Sequence, residues 1–191
     1  MQQLELLTYG KIYHIYNRGI NSCDLFKTNE NYTYFLNLYI KHLSPIADTM
    51  AWVLMKNHIH LLVRIKEITD DDSIKPHQSF SNLFNAYAKA FNKRYSRTGS
   101  LFEHPFQRKL ISDIEYFKHL VVYIHNNPVH HGFVKNAKDY QWSSYLTIIS
   151  VKPTHLLRDI VLGWFDDEAN FKAAHEADND GLDLEKWLGL I

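Results

Sequence analysis

Hydrophobic and polar residues follow two different periods along this chain. Single alternation, the period of a half-buried β-strand, predicts four strands, at about 11–17, 49–55, 58–65 and 106–111. Apolar residues three and four positions apart, the period of an amphipathic helix, predict helices over about 29–43 and 79–97. Lys56-Asn57, between the second and third strands, indicates a tight hairpin connection.

A third helix is predicted to begin at Ser112 and to end at Pro128. Ser112 and Glu115 have the S-x-x-E spacing of a capping box, and proline cannot continue a helix. The order β-α-β-β-α-β-α then predicts an α+β fold. We expect a ferredoxin-like antiparallel sheet with helices packed on one face.

The pattern is less regular after residue 132. Short helices are predicted around 155–163 and 166–177. We therefore expect one domain over residues 1–150 and an acidic C-terminal helical extension over residues 151–191. The acidic stretch 67–76 is predicted to be a loop.

The formal net charge is zero, but the charges are unevenly distributed. Residues 1–158 carry 19 Lys and Arg against 12 Asp and Glu, whereas residues 159–191 carry 2 against 9. A basic body with an acidic tail can indicate a polyanionic partner. An ordinary solvated surface followed by an acidic helix explains the same charges, so composition leaves both interpretations open.

The apolar runs are too short for a membrane span, which needs ~18 residues, and the sequence starts without a basic segment followed by an apolar one. We therefore expect a cytoplasmic protein that does not contact a membrane. The single Cys23 fits a reducing compartment, since there is no second cysteine for an internal disulfide.

The third predicted strand carries two histidines in the stretch "MKNHIHLLVRI". Side chains alternate along a strand, so His58 and His60 point to the same face. Two imidazoles on one face suit a divalent metal, but a third ligand must come from another element. The amide oxygen of Asn127 is a candidate if the third helix packs on that face. Ordinary hydrogen-bonded interior histidines are the alternative.

The third predicted helix contains the stretch "VVYIHNNPV". Tyr123 and Asn127 are four residues apart, so their side chains lie one turn apart on the same face. These residue types also suit a half-buried aromatic at a helix–sheet interface and a polar C-terminal cap. The pattern by itself does not choose between these interpretations.

Four stretches in this order, "MKNHIHLLV", "YAKAFNKRYSRTGSLFEHPFQRKLI", "YIHNNPV" and "YQWSSY", resemble the REP-associated branch of the HUH single-tyrosine transposases. The resemblance covers about residues 9–146 and makes 1–150 the expected catalytic domain. It implies that His58, His60 and Asn127 hold a divalent metal, Mg²⁺ or Mn²⁺. It also implies that Tyr123 is the nucleophile.

The implied reaction is cleavage and rejoining of single-stranded DNA through a 5′-phosphotyrosine intermediate, at a target that forms a hairpin. Basic side chains are expected to follow the DNA phosphates, and they are Arg18, Lys89, Lys93, Arg94, Arg97, Arg108 and Lys109. Four aromatic residues are candidates to stack on bases, with a core position as the alternative for each: Tyr95, Phe102, Phe106 and Trp142.

The other histidines have no ligand spacing. His14 either faces the site or is a packed strand histidine. Eight others are predicted to be surface residues, namely His77, His104, His119, His125, His130, His131, His155 and His175.

Two other functions remain open at this point. One is a domesticated relative that binds structured single-stranded DNA without cutting it. The other is a metal-dependent hydrolase that uses the histidine pair with water as the nucleophile. The sequence also leaves open the DNA target, the role of the acidic tail, a monomer or a homodimer, and whether Tyr123 serves its own chain or a partner's.

Overall fold

The computed structural model describes residues 5–67 and 75–177. It contains four strands, β1 (Ile12–Arg18), β2 (Ala47–Leu54), β3 (His58–Ile65) and β4 (Gln107–Ile111). The three longer helices are α1 (Asn29–Leu43), α2 (Pro76–Arg94) and α3 (Ile114–His130). Three short helices follow, α4 (Tyr145–Ile148), α5 (Arg158–Trp164) and α6 (Glu168–Ala177). The predicted loop at 67–76 lies mostly outside the described residues.

The four strands form one antiparallel sheet in the order β2-β3-β1-β4. The chain order β1-α1-β2-β3-α2-β4 is that of a ferredoxin-like unit. The predicted α+β class with an antiparallel sheet is therefore confirmed. The hairpin at Lys56-Asn57 is confirmed as well, because Met55 N–H donates to the His58 carbonyl at 2.8 Å.

Helices cover both faces of this sheet, whereas the prediction placed them on one. On the first face, Ile15 and Leu61 share a buried core with Phe35 of α1 and Phe80 of α2. On the second face, Leu62 packs with α3 and with the C-terminal helices. The reason is that β3 is almost wholly buried on both sides. A second layer is needed to exclude water from its histidine face.

The ends of α3 differ from the prediction. Asp113, and not Ser112, caps its start, since its carboxylate accepts the Tyr116 N–H at 3.0 Å. The helix continues through Pro128, which lies in its last turn. A proline at this position is tolerated, because few helical hydrogen bonds remain to be lost there. It ends at Gly132, whose φ of +72° allows a Schellman motif. In that motif Phe133 N–H donates to the Pro128 carbonyl at 2.8 Å.

The C-terminal segment packs onto the same side of the sheet as α3. The short helices predicted in this region are confirmed as α5 and α6. Val161, Phe165 and Phe171 are buried in one core with residues of α3. The segment also covers the edge of β2, because Leu157 N–H donates to the Thr49 carbonyl and Ser144 N–H to the Trp52 carbonyl. Paired in this way, the edge is protected from pairing with another chain.

Within residues 5–67 and 75–177, no helix combines the length and the apolar character that a transmembrane span requires.

We expect Gly132→Ala to destabilise the protein and Gly163→Ala to stabilise it. Gly132 has a φ that an alanine adopts only with strain, at a cost of about 1 kcal/mol. Gly163 lies inside α5, and a Cβ added there would meet no atom within 4 Å. Alanine is favoured at such a helical position by about 0.5–1 kcal/mol. Urea unfolding of both variants measures the two changes in the free energy of unfolding. If both substitutions stabilised the protein, the Schellman motif at the end of α3 would be contradicted.

Candidate active site

The predicted metal and tyrosine residues come together between α3 and the second face of the sheet. His58 and His60 point the same way from β3, with ring centroids 5.2 Å apart. On α3, Asn127 contacts His58 and Tyr123 contacts His60. The packing of α3 on the histidine face therefore unites the two sequence motifs.

His58 is held between two amide side chains. Its Nε2 lies 2.8 Å from Asn127 Oδ1, and its Nδ1 lies 2.8 Å from Asn57 Oδ1. Burial lowers the pKa of His58 to about 4, against an opposing contribution from the Asn127 hydrogen bond. At neutral pH the ring is therefore neutral and has one N–H for two oxygens.

The two contacts of His58 have three physical solutions. Either a cation is shared by the Nε2 lone pair and Asn127 Oδ1, or the amide of Asn127 or of Asn57 is rotated so that its NH₂ group donates to the ring nitrogen it faces. Asn127 is fully buried, and its Nδ2 has no hydrogen-bond partner within the described residues. This amide is therefore not fixed by a second bond.

His60 lies deeper than His58, with 3% of its surface exposed. Its pKa is well below the ordinary value, chiefly because of burial and also because of the neighbouring His14, His58 and His131. The Tyr123 and His60 rings are nearly perpendicular, with centroids 5.5 Å apart. Tyr123 itself is only 2% exposed.

Three further residues lie beside this pair. His14, for which the sequence left open a place facing the site or in the packed strand, is fully buried, and its Nε2 lies 3.0 Å from His60 Nδ1. The Tyr16 ring is 6.0 Å from that of His60, and the His131 ring is 5.1 Å from that of His58. The alternation of β1 was a signal for the first two, since it places His14 and Tyr16 on one face.

Two of the histidines predicted to lie at the surface are buried, so that prediction was wrong for His125 and His175. They form part of a chain of hydrogen bonds that joins β2, α3 and α6. Trp52 N–H donates to Ser144 Oγ at 2.9 Å, and Ser144 Oγ lies 2.7 Å from His125 Nε2. His125 Nδ1 lies 2.9 Å from His175 Nε2, and His175 Nδ1 lies 2.7 Å from the Phe171 carbonyl.

For two neutral rings, the acceptor at one end of this hydrogen-bond series determines both tautomers. The Phe171 carbonyl can only accept, so His175 donates from Nδ1 and accepts at Nε2. His125 then donates from Nδ1 and accepts the Ser144 hydroxyl proton at Nε2. This network is complete, and it attaches α6 to α3 two residues from Tyr123.

Two of the predicted DNA-binding residues lie beside the site. Arg18 is opposite His58 in the register, and Lys109 is opposite His14. The Arg18 side chain is 54% exposed and forms an ion pair with Glu103 at 3.1 Å. Arg108 is opposite Ile15 and therefore points to the other face, where its guanidinium lies over the Phe106 ring.

The remaining predicted cations are on or just after α2, which covers the opposite face of the sheet. Lys89, Lys93 and Arg94 are exposed there. Arg97 is committed to its own loop, because its guanidinium donates to the Ser100 carbonyl at 2.7 Å and to Asn92 Oδ1 at 3.1 Å. The structure does not bring this group to the histidines.

The aromatic candidates for base stacking are mostly core residues. Phe102 and Phe106 are buried in the first core, which is the alternative that the sequence left open. Tyr95 and Trp142 are partly buried against the same core, and Trp142 stacks on Tyr32 with ring centroids 4.5 Å apart.

Among the described residues, no three His, Cys, Asp or Glu side chains are arranged to hold a metal ion. The predicted ligand set is different, because it combines two histidines with the amide oxygen of Asn127.

The chain matches no protein-family model. It is 31% identical over 104 residues to the Haemophilus influenzae protein named "Putative REP-associated tyrosine transposase". The aligned region covers 51% of this chain and 58% of that protein. It is 28% identical over 95 residues to the Escherichia coli K12 protein named "REP-associated tyrosine transposase", with 50% and 52% covered. The matches thus span little more than half the length of these curated relatives.

A solved structure of a REP-associated tyrosine transposase bound to a REP hairpin has the same fold. The TM-score is 0.66 at 20% identity, with 80% of this chain and 88% of that chain covered. This chain is similar in sequence and fold to REP-associated tyrosine transposases. The resemblance inferred from the motifs is therefore confirmed.

We expect the free energy of unfolding to fall as the pH is lowered below about 6.5. His14, His60 and His125 are buried and His58 is partly buried, and burial lowers the pKa of each, to about 3 for His14 and about 4 for His58. Below about 6.5 the unfolded chain binds protons that the folded chain does not, which removes up to about 1.4 kcal/mol per pH unit for each histidine.

Urea unfolding between about pH 7.5 and pH 5 measures this loss, since most carboxylates titrate below that window. His119 is exposed on α3, so His119→Gln is the matched control and should keep the same pH dependence. A free energy of unfolding that is constant over the window would show that these histidines are not buried as neutral groups.

Proposed function

We propose that this chain is a metal-dependent single-stranded DNA transposase or nuclease that cleaves and rejoins DNA through Tyr123. The observation that supports this most is the meeting of the two motifs. Asn127 lies 2.8 Å from His58, and the Tyr123 ring packs on His60. The similarity to REP-associated tyrosine transposases favours the same chemistry.

In the proposed reaction, the Tyr123 hydroxyl oxygen attacks a phosphodiester of single-stranded DNA. A bond forms between that oxygen and phosphorus, and the bond from phosphorus to the 3′ oxygen breaks. The phenol loses its proton and the 3′ oxygen gains one, so the products are a 5′-phosphotyrosine and a free 3′-OH. The covalent link retains the phosphodiester, so attack by a 3′-OH on it rejoins DNA without ATP.

His58, His60 and Asn127 would hold the divalent cation, which would polarise the phosphoryl oxygens and stabilise charge in the transition state. The donor set fits such an ion, because both histidines are neutral and offer lone pairs. His58 Nε2 and Asn127 Oδ1 are already close together. Mixed nitrogen and oxygen donors suit Mn²⁺, while Mg²⁺ prefers oxygen and would keep several waters.

The proposed partner is single-stranded DNA that contains a hairpin, by analogy with the similar transposase structure, which is bound to a REP hairpin. Arg18 and Lys109 flank the site and would contact the phosphates nearest the cleavage point. The exposed cations of α2 form a separate surface for more distant DNA. Such a protein would act in the cytoplasm, as a monomer or a homodimer.

A second candidate function is binding of structured single-stranded DNA without cleavage. The burial of Tyr123, which is 2% exposed, favours this alternative, because a nucleophile must reach its phosphate. The same assay separates the two functions.

We expect a covalent protein–DNA adduct that depends on Tyr123. Hairpin-tailed single-stranded DNA with a label at its 3′ end is incubated with the protein and Mn²⁺ and run on a denaturing gel. A 5′-phosphotyrosine leaves the 3′ fragment on the protein, whereas a 5′ label appears on a shorter free strand. Tyr123→Phe and a chelator should each abolish both products.

Tyr34→Phe is the matched control, since Tyr34 is an exposed tyrosine on α1, on the other side of the sheet. It should form as much adduct as the wild type. Cleavage without an adduct in Tyr123→Phe would instead support a hydrolase with water as the nucleophile. DNA that is shifted in a native gel but never cut would support the binding protein.

We expect Arg18→Ala and Lys109→Ala to weaken binding of a short single strand of about eight nucleotides, a length that one site can hold. Each substitution should also reduce the slope of log K against log salt by about 0.7, the value for one lost phosphate contact on a single strand. Binding is measured by fluorescence anisotropy at several salt concentrations.

Lys89→Ala and Lys93→Ala are the comparison, because both residues are exposed on α2. They should leave the short strand unaffected and weaken binding only of a longer hairpin substrate. A larger effect of Lys89→Ala than of Arg18→Ala on the short strand would move the binding surface to α2.

A further inference from the structure

His14 lies on β1, at the centre of the sheet, and its side chain is completely buried beside the candidate active site. Its Nε2 is 3.0 Å from Nδ1 of His60, with the two rings nearly parallel at 16°. His14 therefore influences whether Nδ1 of His60 carries a proton.

Each neutral imidazole carries one N–H. In such a contact one of the two facing nitrogens donates its proton and the other accepts it. If His14 donates from Nε2, the proton of His60 lies on its own Nε2, and that nitrogen cannot bind a cation. If His60 donates from Nδ1, its Nε2 has a lone pair. Only the second arrangement makes His60 a metal ligand.

His58 has the same local arrangement on the same strand. Its Nδ1 lies 2.8 Å from Asn57 Oδ1, an atom that can only accept a hydrogen bond. Its Nε2 is on the side of Asn127. Metal-binding histidines usually donate their second ring N–H to such an acceptor, which fixes the tautomer. Asn57 Oδ1 is in the position of such an acceptor for His58, and His14 Nε2 is in the corresponding position beside His60.

We propose that His14 is a positioning residue, whose Nε2 accepts the Nδ1–H of His60 and so directs the Nε2 lone pair of His60 toward the divalent cation. This inference rests on the proposed function, because it assigns a role at the same site.

The arrangement has a cost that makes it dependent on the cation. When His14 accepts at Nε2, its proton is on Nδ1, which is buried and has no partner within the described residues. An unpaired buried donor is unfavourable, and the cationic Lys109 lies on the neighbouring strand. Without the cation the two tautomers compete, and binding of the cation at His60 Nε2 selects one of them.

The tautomer is observable by ¹⁵N NMR of histidine-labelled protein. With saturating Mg²⁺, which is diamagnetic, we expect the proton of His60 on Nδ1 and the proton of His14 on Nδ1. Without Mg²⁺ the His60 signals should shift toward the opposite tautomer. A His60 proton that remains on Nε2 in saturating Mg²⁺ would overturn the proposal.

Affinity for Mn²⁺, measured by electron paramagnetic resonance, provides the second readout. We expect His14→Phe, which keeps a ring but has no acceptor, to bind Mn²⁺ about ten- to a hundredfold more weakly. His14→Gln retains an acceptor oxygen and should recover most of the affinity. His119→Gln, an exposed histidine on α3, should bind like the wild type.

The controls separate this inference from the proposed function. Urea unfolding of each variant shows which ones are folded. If the wild type binds Mn²⁺ no better than His58→Ala, the metal site itself is wrong and the role of His14 falls with it. If the wild type binds Mn²⁺ and folded His14→Phe binds it equally well, only the role of His14 is wrong.

Discussion

The packing of α3 on the histidine face of the sheet is the contact on which the rest of this structure depends. The sheet alone offers two imidazoles, and the helix alone offers a phenol and an amide one turn apart. Because α3 lies across β2 and β3, Asn127 reaches His58 and Tyr123 reaches His60. The helix begins at the Asp113 cap and ends at the Gly132 Schellman motif, so it is defined at both ends.

The C-terminal segment holds α3 from its other side. Phe171 and Val161 fill the same core as α3, and His175 reaches His125 through a buried hydrogen bond. A buried polar network of this kind is specific, because each donor needs its own acceptor. The acidic extension, as far as residue 177, is therefore part of the support for the candidate site. Its position also covers the β2 edge against pairing with another chain.

Much of the site followed from periodicity. Alternation on β3 placed His58 and His60 together, and helical spacing placed Tyr123 and Asn127 together. The sequence did not determine which face of the sheet α3 covers, since both faces of β3 are apolar enough to need a layer. His175 lies 50 residues from His125, and no local pattern predicts that contact. Arg97 looked like a cation for DNA, but local carbonyl groups bind its guanidinium.

The two histidine networks differ in how completely their hydrogen bonds are satisfied among the described residues. From Trp52 to Phe171, every donor has an acceptor, so nothing further is needed there. At the candidate site, His14 Nδ1 and Asn127 Nδ2 are buried without partners among the described residues. A buried polar atom without a partner costs about 1–3 kcal/mol. Under the proposed function, a cation bound between His58, His60 and Asn127 would fix the orientation of the amide and the tautomer of the histidine pair together.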